Sequence, residues 1–174
     1  LLFSPNPIFD KLVIAFDFGL LLYFLYIGYK SKSWLVTGLG LLQLVPVAYF
    51  EFVLKAAHVE HILVVDSLSH LLTLIISIVG SAVLVYTLSY MDEHEKHLHI
   101  GKSGQNRFFF FMIILLGAMN GLVYSNSLYW VYFFWEVTTL CCYALIRHDG
   151  TEEARENSIM ALWVGLVGGV VFVA

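Results

Sequence analysis

Charge is scarce in this chain. Lys, Arg, Asp and Glu make up 13% of its 174 residues, about half of the roughly 25% usual in soluble domains. Too few charges are present to cover a water-facing surface. Cysteine is nearly absent, and the two present, Cys141 and Cys142, are neighbours. That spacing excludes a Cys-x-x-Cys metal or redox site and a disulfide framework, and inside an apolar run they read as small apolar residues. No phosphate-cradling glycine loop, nucleophile elbow or dinucleotide fingerprint occurs. Period-two alternation is missing from the apolar runs, which excludes transmembrane strands. The net charge of −4 is too small to imply an acidic or basic partner, and no nucleic-acid partner is expected. The first apolar run, which follows Pro5-Asn6-Pro7 and carries Asp10 and Asp17, has neither the basic flank nor the cleavage site of a signal peptide.

What the chain does have is hydrophobic length. Sixty per cent of its residues are hydrophobic, gathered into runs long enough to cross a bilayer core of about 30 Å. The expected fold is an all-α polytopic membrane protein, a single transmembrane domain over residues 1–174. Six helices are expected, at about residues 8–29, 34–54, 66–91, 108–124, 128–146 and 158–174, with Asp66 as an N-cap and Pro46 as a kink. The last run stops without a flanking anchor and the chain begins without Met, so the chain is expected to be the N-terminal part of a larger helical bundle. Lys30, Lys32, Lys96, Lys102, Arg107, Arg147 and Arg155 fall on one side of this topology, and Lys11 and Lys55 on the other. The positive-inside rule then places the N-terminus outside and the protein in the cell (inner or plasma) membrane.

One carboxylate stands out. Glu136 lies in the middle of the run from Asn126 to Arg147, where a charge costs on the order of 3 kcal/mol, so it is a functional-site candidate by default. A lone carboxyl group cannot perform redox chemistry, but it can pass a proton. At helical spacing Tyr129, Tyr132, Phe133, Thr139, Leu140 and Tyr143 share its face, offering hydroxyls to a proton path. The alternative is a structural hydrogen bond to a neighbouring helix. Asp17 sits inside the first helix and is a second candidate. Glu51 and Lys55 are spaced for an i,i+4 pair near the interface. His70 is a weaker candidate, since a buried neutral histidine bonded to a neighbour explains it as well. His94, His97 and His99, and His58 with His61, lack the spacing of a rigid metal site and read as solvated loop residues.

Several stretches resemble a known family. Val65-Asp66-Ser67-Leu68-Ser69 opening the third helix and Tyr90-Met91 closing it are similar to the third helix of antiporter-like proton-pumping subunits. These occur in respiratory complex I, Mrp-type cation/proton antiporters and energy-converting membrane-bound hydrogenases. More specific is the fifth helix, where Trp135-Glu136 precedes Leu140-Cys141-Cys142-Tyr143-Ala144-Leu145-Ile146, similar to the family's Trp-Glu followed by Leu-x-Ser-Tyr-x-Leu-Ile. Thr151-Glu152-Glu153-Ala154 and the stretch from Ala161 to Gly169 look closest to the hydrogenase-type members. The resemblance covers about Val65 to Ala174. Cys142 departs from it where Ser is common, as do Leu166 and Gly169 where some complex I members carry Arg and Asp.

The resemblance implies that Glu136 belongs to a translocation unit whose lysine partner lies on a seventh helix, beyond Ala174. It implies an ion-translocating subunit, for protons or sodium, of a redox-driven complex, most closely a ferredoxin-linked [NiFe] hydrogenase. The alternatives are a stand-alone Mrp-type cation/proton antiporter subunit and an inert membrane scaffold. No cofactor is expected on this chain. Partner subunits would carry the iron–sulfur clusters and a NiFe centre, and its partners would be other membrane subunits, a peripheral redox arm, ferredoxin indirectly, and the lipid bilayer.

Overall fold

The computed structural model describes residues 7–52, 63–97 and 104–173. Among the described residues six α-helices follow one another: α1 Pro7–Lys30, α2 Trp34–Phe52, α3 Ser67–His97, α4 Gln105–Tyr124, α5 Leu128–Ile146 and α6 Glu152–Val173. The protein is a polytopic all-α membrane protein. Four helical stretches are long and apolar enough to cross a bilayer, Leu12–Lys30, Ser67–Met91, Gln105–Tyr124 and Leu128–Asp149, and Trp34–Val45 is a shorter apolar one. Lys55, His58, His61, His99 and Lys102 lie outside the described residues, as do the side chains of Glu51, His94, Lys96 and His97.

Helix boundaries differ from expectation where polar residues extend a span into water. α3 continues to His97, past the expected end at Met91, because Glu and Lys propagate a helix as readily as apolar residues do. α6 starts at Glu152 rather than Ser158. The Thr151 hydroxyl accepts the Ala154 amide at 3.1 Å, and Glu152 and Glu153 suit the positive end of the helix dipole. α2 runs through position 46 without a break.

The turns are closed by local chemistry. α1 ends in a Schellman motif, with the Ser33 amide on Gly28 O at 3.0 Å and the Lys32 amide on Tyr29 O at 3.1 Å. Lys32 takes the left-handed position there, φ 53°. At the start of α3, Asp66 Oδ1 accepts the Ser69 amide at 2.7 Å while Ser69 Oγ accepts the Asp66 amide at 2.8 Å, a reciprocal cap. The Ser69 amide holds the Asp66 carboxyl below its ordinary range. The cap is therefore in place above the unfolded-chain value of about 3.9 and is lost as pH falls through the depressed value.

Four helices close a ring: α1 packs on α2, α2 on α6, α6 on α5, and α5 on α1. α4 packs on the outside of α5, and α3 on α4. Each ring helix turns one stripe inward at spacings of three and four. These are Val13, Asp17, Leu20, Leu21, Phe24 and Ile27 on α1, Val36, Gly40, Gln43 and Val47 on α2, Tyr132, Glu136, Thr139 and Tyr143 on α5, and Ala154, Ser158, Leu162, Leu166 and Gly169 on α6. In lipid, apolar burial does little to join helices, and close backbone approach with interhelical hydrogen bonds does more. α6 supplies that approach. A Cβ on Gly165 would stand 2.6 Å from Thr139 Oγ1, and one on Gly168 would stand 2.6 Å from Trp135 Cζ2. Trp135 Nε1 donates across to Gly165 O at 3.0 Å.

Two substitutions test this packing. Gly165→Val is expected to push α6 off α5, break the Trp135 bond and cost about 1–3 kcal/mol by overpacking, read as a lower Tm of the purified protein in detergent. Asp66→Ala is expected to raise hydrogen exchange at the Ser69 amide several-fold while leaving exchange in α5 unchanged.

Candidate functional site

The inward stripes of the four ring helices would be apolar throughout in an ordinary bundle. Here three of them carry a polar side chain at the same level. Asp17 of α1, Gln43 of α2 and Glu136 of α5 are each wholly buried, at 0% exposure. Glu136 lies near the middle of α5, roughly 12 to 15 Å from its two ends at 1.5 Å per residue. That is the depth at which a carboxyl group is furthest from water.

Gln43 holds the centre together. Its Nε2 donates to Glu136 Oε1 at 3.0 Å and to Leu166 O at 3.0 Å, joining α2, α5 and α6 through one amide. The approach depends on Gly169, where a Cβ would collide with Gln43 Nε2 and come within 2.6 Å of Glu136 Oε1. Leu166 and Gly169 occupy the places where the resemblance allows an Arg and an Asp. In this chain those places supply a carbonyl acceptor and empty side-chain space, with no charge. Tyr132, one turn before Glu136, brings its hydroxyl to the carboxyl without settling into hydrogen-bond geometry. Asp17 is close enough for its charge to act on both Glu136 and Tyr132.

Both Asp17 oxygens, Glu136 Oε2, Gln43 Oε1 and the Tyr132 hydroxyl lack a hydrogen-bond partner among the described residues. Native interiors tolerate few such orphans. Their gathering at one level makes this cluster the candidate site. No Lys, Arg or His among the described residues faces Glu136. Leu21, Phe24, Ile27, Val36 and Leu162 fill the ring between this cluster and the end where α1 meets α2.

The structure thus brings two of the sequence candidates, Asp17 and Glu136, to one place. It does not bring His70 there. His70 is exposed on α3, whose main packing among the described residues is on α4, and its Nδ1 lies 3.0 Å from Asp66 O, within the cap. Gln43 was missed by sequence reasoning. The signal available was its position as the one side-chain amide in the apolar α2 run. Among the described residues no three His, Cys, Asp or Glu side chains form a group able to hold a metal ion.

An ionisable side chain inside a membrane span is a functional-site candidate by default. Comparison with known proteins gives that candidate a context. Residues 52–109 match the family described as NADH-Ubiquinone oxidoreductase (complex I), chain 5 N-terminus. The chain is 39% identical over 100 residues to the chloroplastic NAD(P)H-quinone oxidoreductase subunit 5 of Vicia faba, covering 58% of this chain and 12% of that protein. Its identity to the subunit of the same name from Malvaviscus arboreus is 34% over 100 residues, 58% of this chain and 13% of that one. It is 29% identical over 119 residues to the Na(+)/H(+) antiporter subunit A1 of Staphylococcus aureus, strain bovine RF122 / ET3-1, covering 64% of this chain and 14% of that protein. No solved structure matches it. The chain is thus similar, over part of its length, to antiporter-like membrane subunits, and the matched stretch spans 12% to 14% of the length of these relatives.

If Gln43 is the keystone, Gln43→Leu leaves Glu136 Oε1 and Leu166 O without their donor and is expected to destabilise the protein by about 1–3 kcal/mol. Adding Glu136→Leu removes the stranded carboxyl and should recover part of that loss. A double-mutant cycle on Tm measures the coupling; additive effects would show that the two side chains do not interact.

Proposed function

We propose that this chain forms part of an ion-translocating subunit of the complex I or Mrp antiporter type, with Glu136 and Asp17 as a carboxyl pair that holds and passes a proton. The observation that carries this is the wholly buried Glu136 at mid-span, bonded to a neutral amide, with Asp17 beside it. With no Lys, Arg or His near them among the described residues, a second negative charge in the cluster would face the first unscreened in a low dielectric. The pair therefore carries at most one negative charge, and a proton arriving at one group can leave from the other. Moving one charge against 100 mV requires about 2.3 kcal/mol, within what a redox step or an opposing ion gradient supplies. The basic ends of the helices face the cytoplasm in this proposal, with the N-terminus outside, in the plasma membrane.

Which machine drives the site is a finer question. The stretches Thr151–Ala154 and Ala161–Gly169 support a ferredoxin-linked [NiFe] hydrogenase as the redox partner. The relatives' names support two others, an NAD(P)H-quinone oxidoreductase and a Na(+)/H(+) antiporter. Nickel and iron assayed in the natively purified complex separate them. Both metals near stoichiometry support the hydrogenase, iron alone the quinone oxidoreductase, and neither metal the free-standing antiporter.

Glu136→Gln keeps an acceptor for Gln43 but cannot release a proton. In the complete complex it is expected to abolish ion translocation in proteoliposomes while leaving assembly and soluble-dye redox activity intact. Pumping at the wild-type rate would overturn the proposal and leave a scaffold role. Asp17→Asn is expected to slow translocation by about a hundredfold or more, the scale of a lost proton-transfer group.

A further inference from the structure

A second feature lies away from the carboxyl cluster. A cleft of about 710 Å³ opens between α1 and the adjoining ends of α4 and α5. Its mouth is basic. Lys30 comes from the last turn of α1, Arg107 from the first turn of α4, and Arg147 from just beyond α5. The rings of Phe108 and His148, with centroids 5.2 Å apart, tie the α4 and α5 ends together. None of the three cations is paired with a carboxylate among the described residues. Lys30 Nζ instead lies 5.8 Å from the centre of the Tyr26 ring, and the Arg147 guanidinium 5.7 Å from that of Tyr143. Arg147 also donates to the Tyr143 hydroxyl.

Below the cations the wall changes character. Tyr23, Tyr26 and Tyr143 line the level beneath the mouth, and Ala15, Phe16 and Gly19 line the depth. A Cβ on Gly19 would meet nothing within 4 Å, so the trough is open along α1. Exposed Tyr29 and Trp34, at 81% and 90%, mark this end as the aromatic belt of a membrane surface. The cleft is thus cationic at the surface, amphipathic below it and apolar at depth.

We propose that this cleft binds an anionic phospholipid, its phosphate on Lys30, Arg107 and Arg147 and an acyl chain along the trough at Phe16 and Gly19. Three cations with no carboxylate ion pair among the described residues complement a net negative headgroup. They do not complement a zwitterionic one, which brings its own cation. Basic pockets between helix ends bind anionic headgroups for the same reason.

The test uses the complete complex, stripped of lipid in detergent and titrated with cardiolipin or with phosphatidylcholine by native mass spectrometry. One cardiolipin is expected to be retained at concentrations where phosphatidylcholine is not. Neutralising one cation, as in Arg147→Gln, should weaken retention about fivefold, and the triple variant Lys30→Gln/Arg107→Gln/Arg147→Gln about a hundredfold. Gly19→Phe fills the trough without touching a charge, and it should also lower retention while leaving Tm unchanged. Equal retention of both lipids, or undiminished cardiolipin on the triple and Gly19→Phe variants, would overturn the proposal. A helix of the full-length protein seated in the cleft in a cryo-EM map would overturn it as well.

Discussion

The hydrogen bond from Gln43 to Glu136 is the constraint around which the ring is arranged. A carboxyl group at mid-span can remain only where the surrounding helices supply polar contacts, since lipid supplies none. α2 must bring its amide to that level, and α6 must come close enough to offer the Leu166 carbonyl to the same amide. The closeness follows from having no side chain at Gly165, Gly168 and Gly169. The glycines of α6 and the glutamate of α5 are therefore one design. Removing the small residues would expel the amide, and removing the amide would strand the carboxyl.

α3 and α4 stand differently. They form an outer pair, with α3 presenting Leu, Ile, Val and Tyr side chains over most of its circumference. Such a helix gains little from apolar contact within the bilayer, and the capping of Asp66 with Ser69 shapes its start more than packing does. The antiparallel pairing of Leu63 with Ser125, with the Val64 amide on Tyr124 O at 2.9 Å, ties this start to the α4–α5 turn. Among the described residues α3 meets the site chiefly through α4 and α5, and His70 stands apart from the cluster.

Much of this was legible in the sequence. Low charge and long apolar runs sufficed for an all-α membrane protein with six helices, and Glu136 could be singled out because a charge is conspicuous in an apolar run. Asp17 could be named for the same reason, but its place beside Glu136 could not, since which helix faces of α1 and α5 meet depends on packing across more than a hundred residues. Gln43 carries no charge and so raised no alarm, although its two bonds decide the geometry. The apolar span of α3 ends at Met91 as expected, whereas the helix itself runs on to His97, and α6 begins at Glu152, because hydrogen bonding and capping carry a helix on into water.

The amide at the centre of the cluster has a property that a lysine in its place would lack. A primary amide is ambidextrous, with an N–H₂ that serves a carboxylate and a carbonyl that serves a carboxylic acid. Gln43 already uses the first face on Glu136, and its Oε1 stands uncommitted among the described residues. Rotating that amide to offer Oε1 to a protonated Glu136 would withdraw Nε2 from Leu166 O, so the tie to α6 would loosen as the contact with α5 changed hands. A change of proton at this level would thus be felt by α6 as well as by α5, through a single side chain.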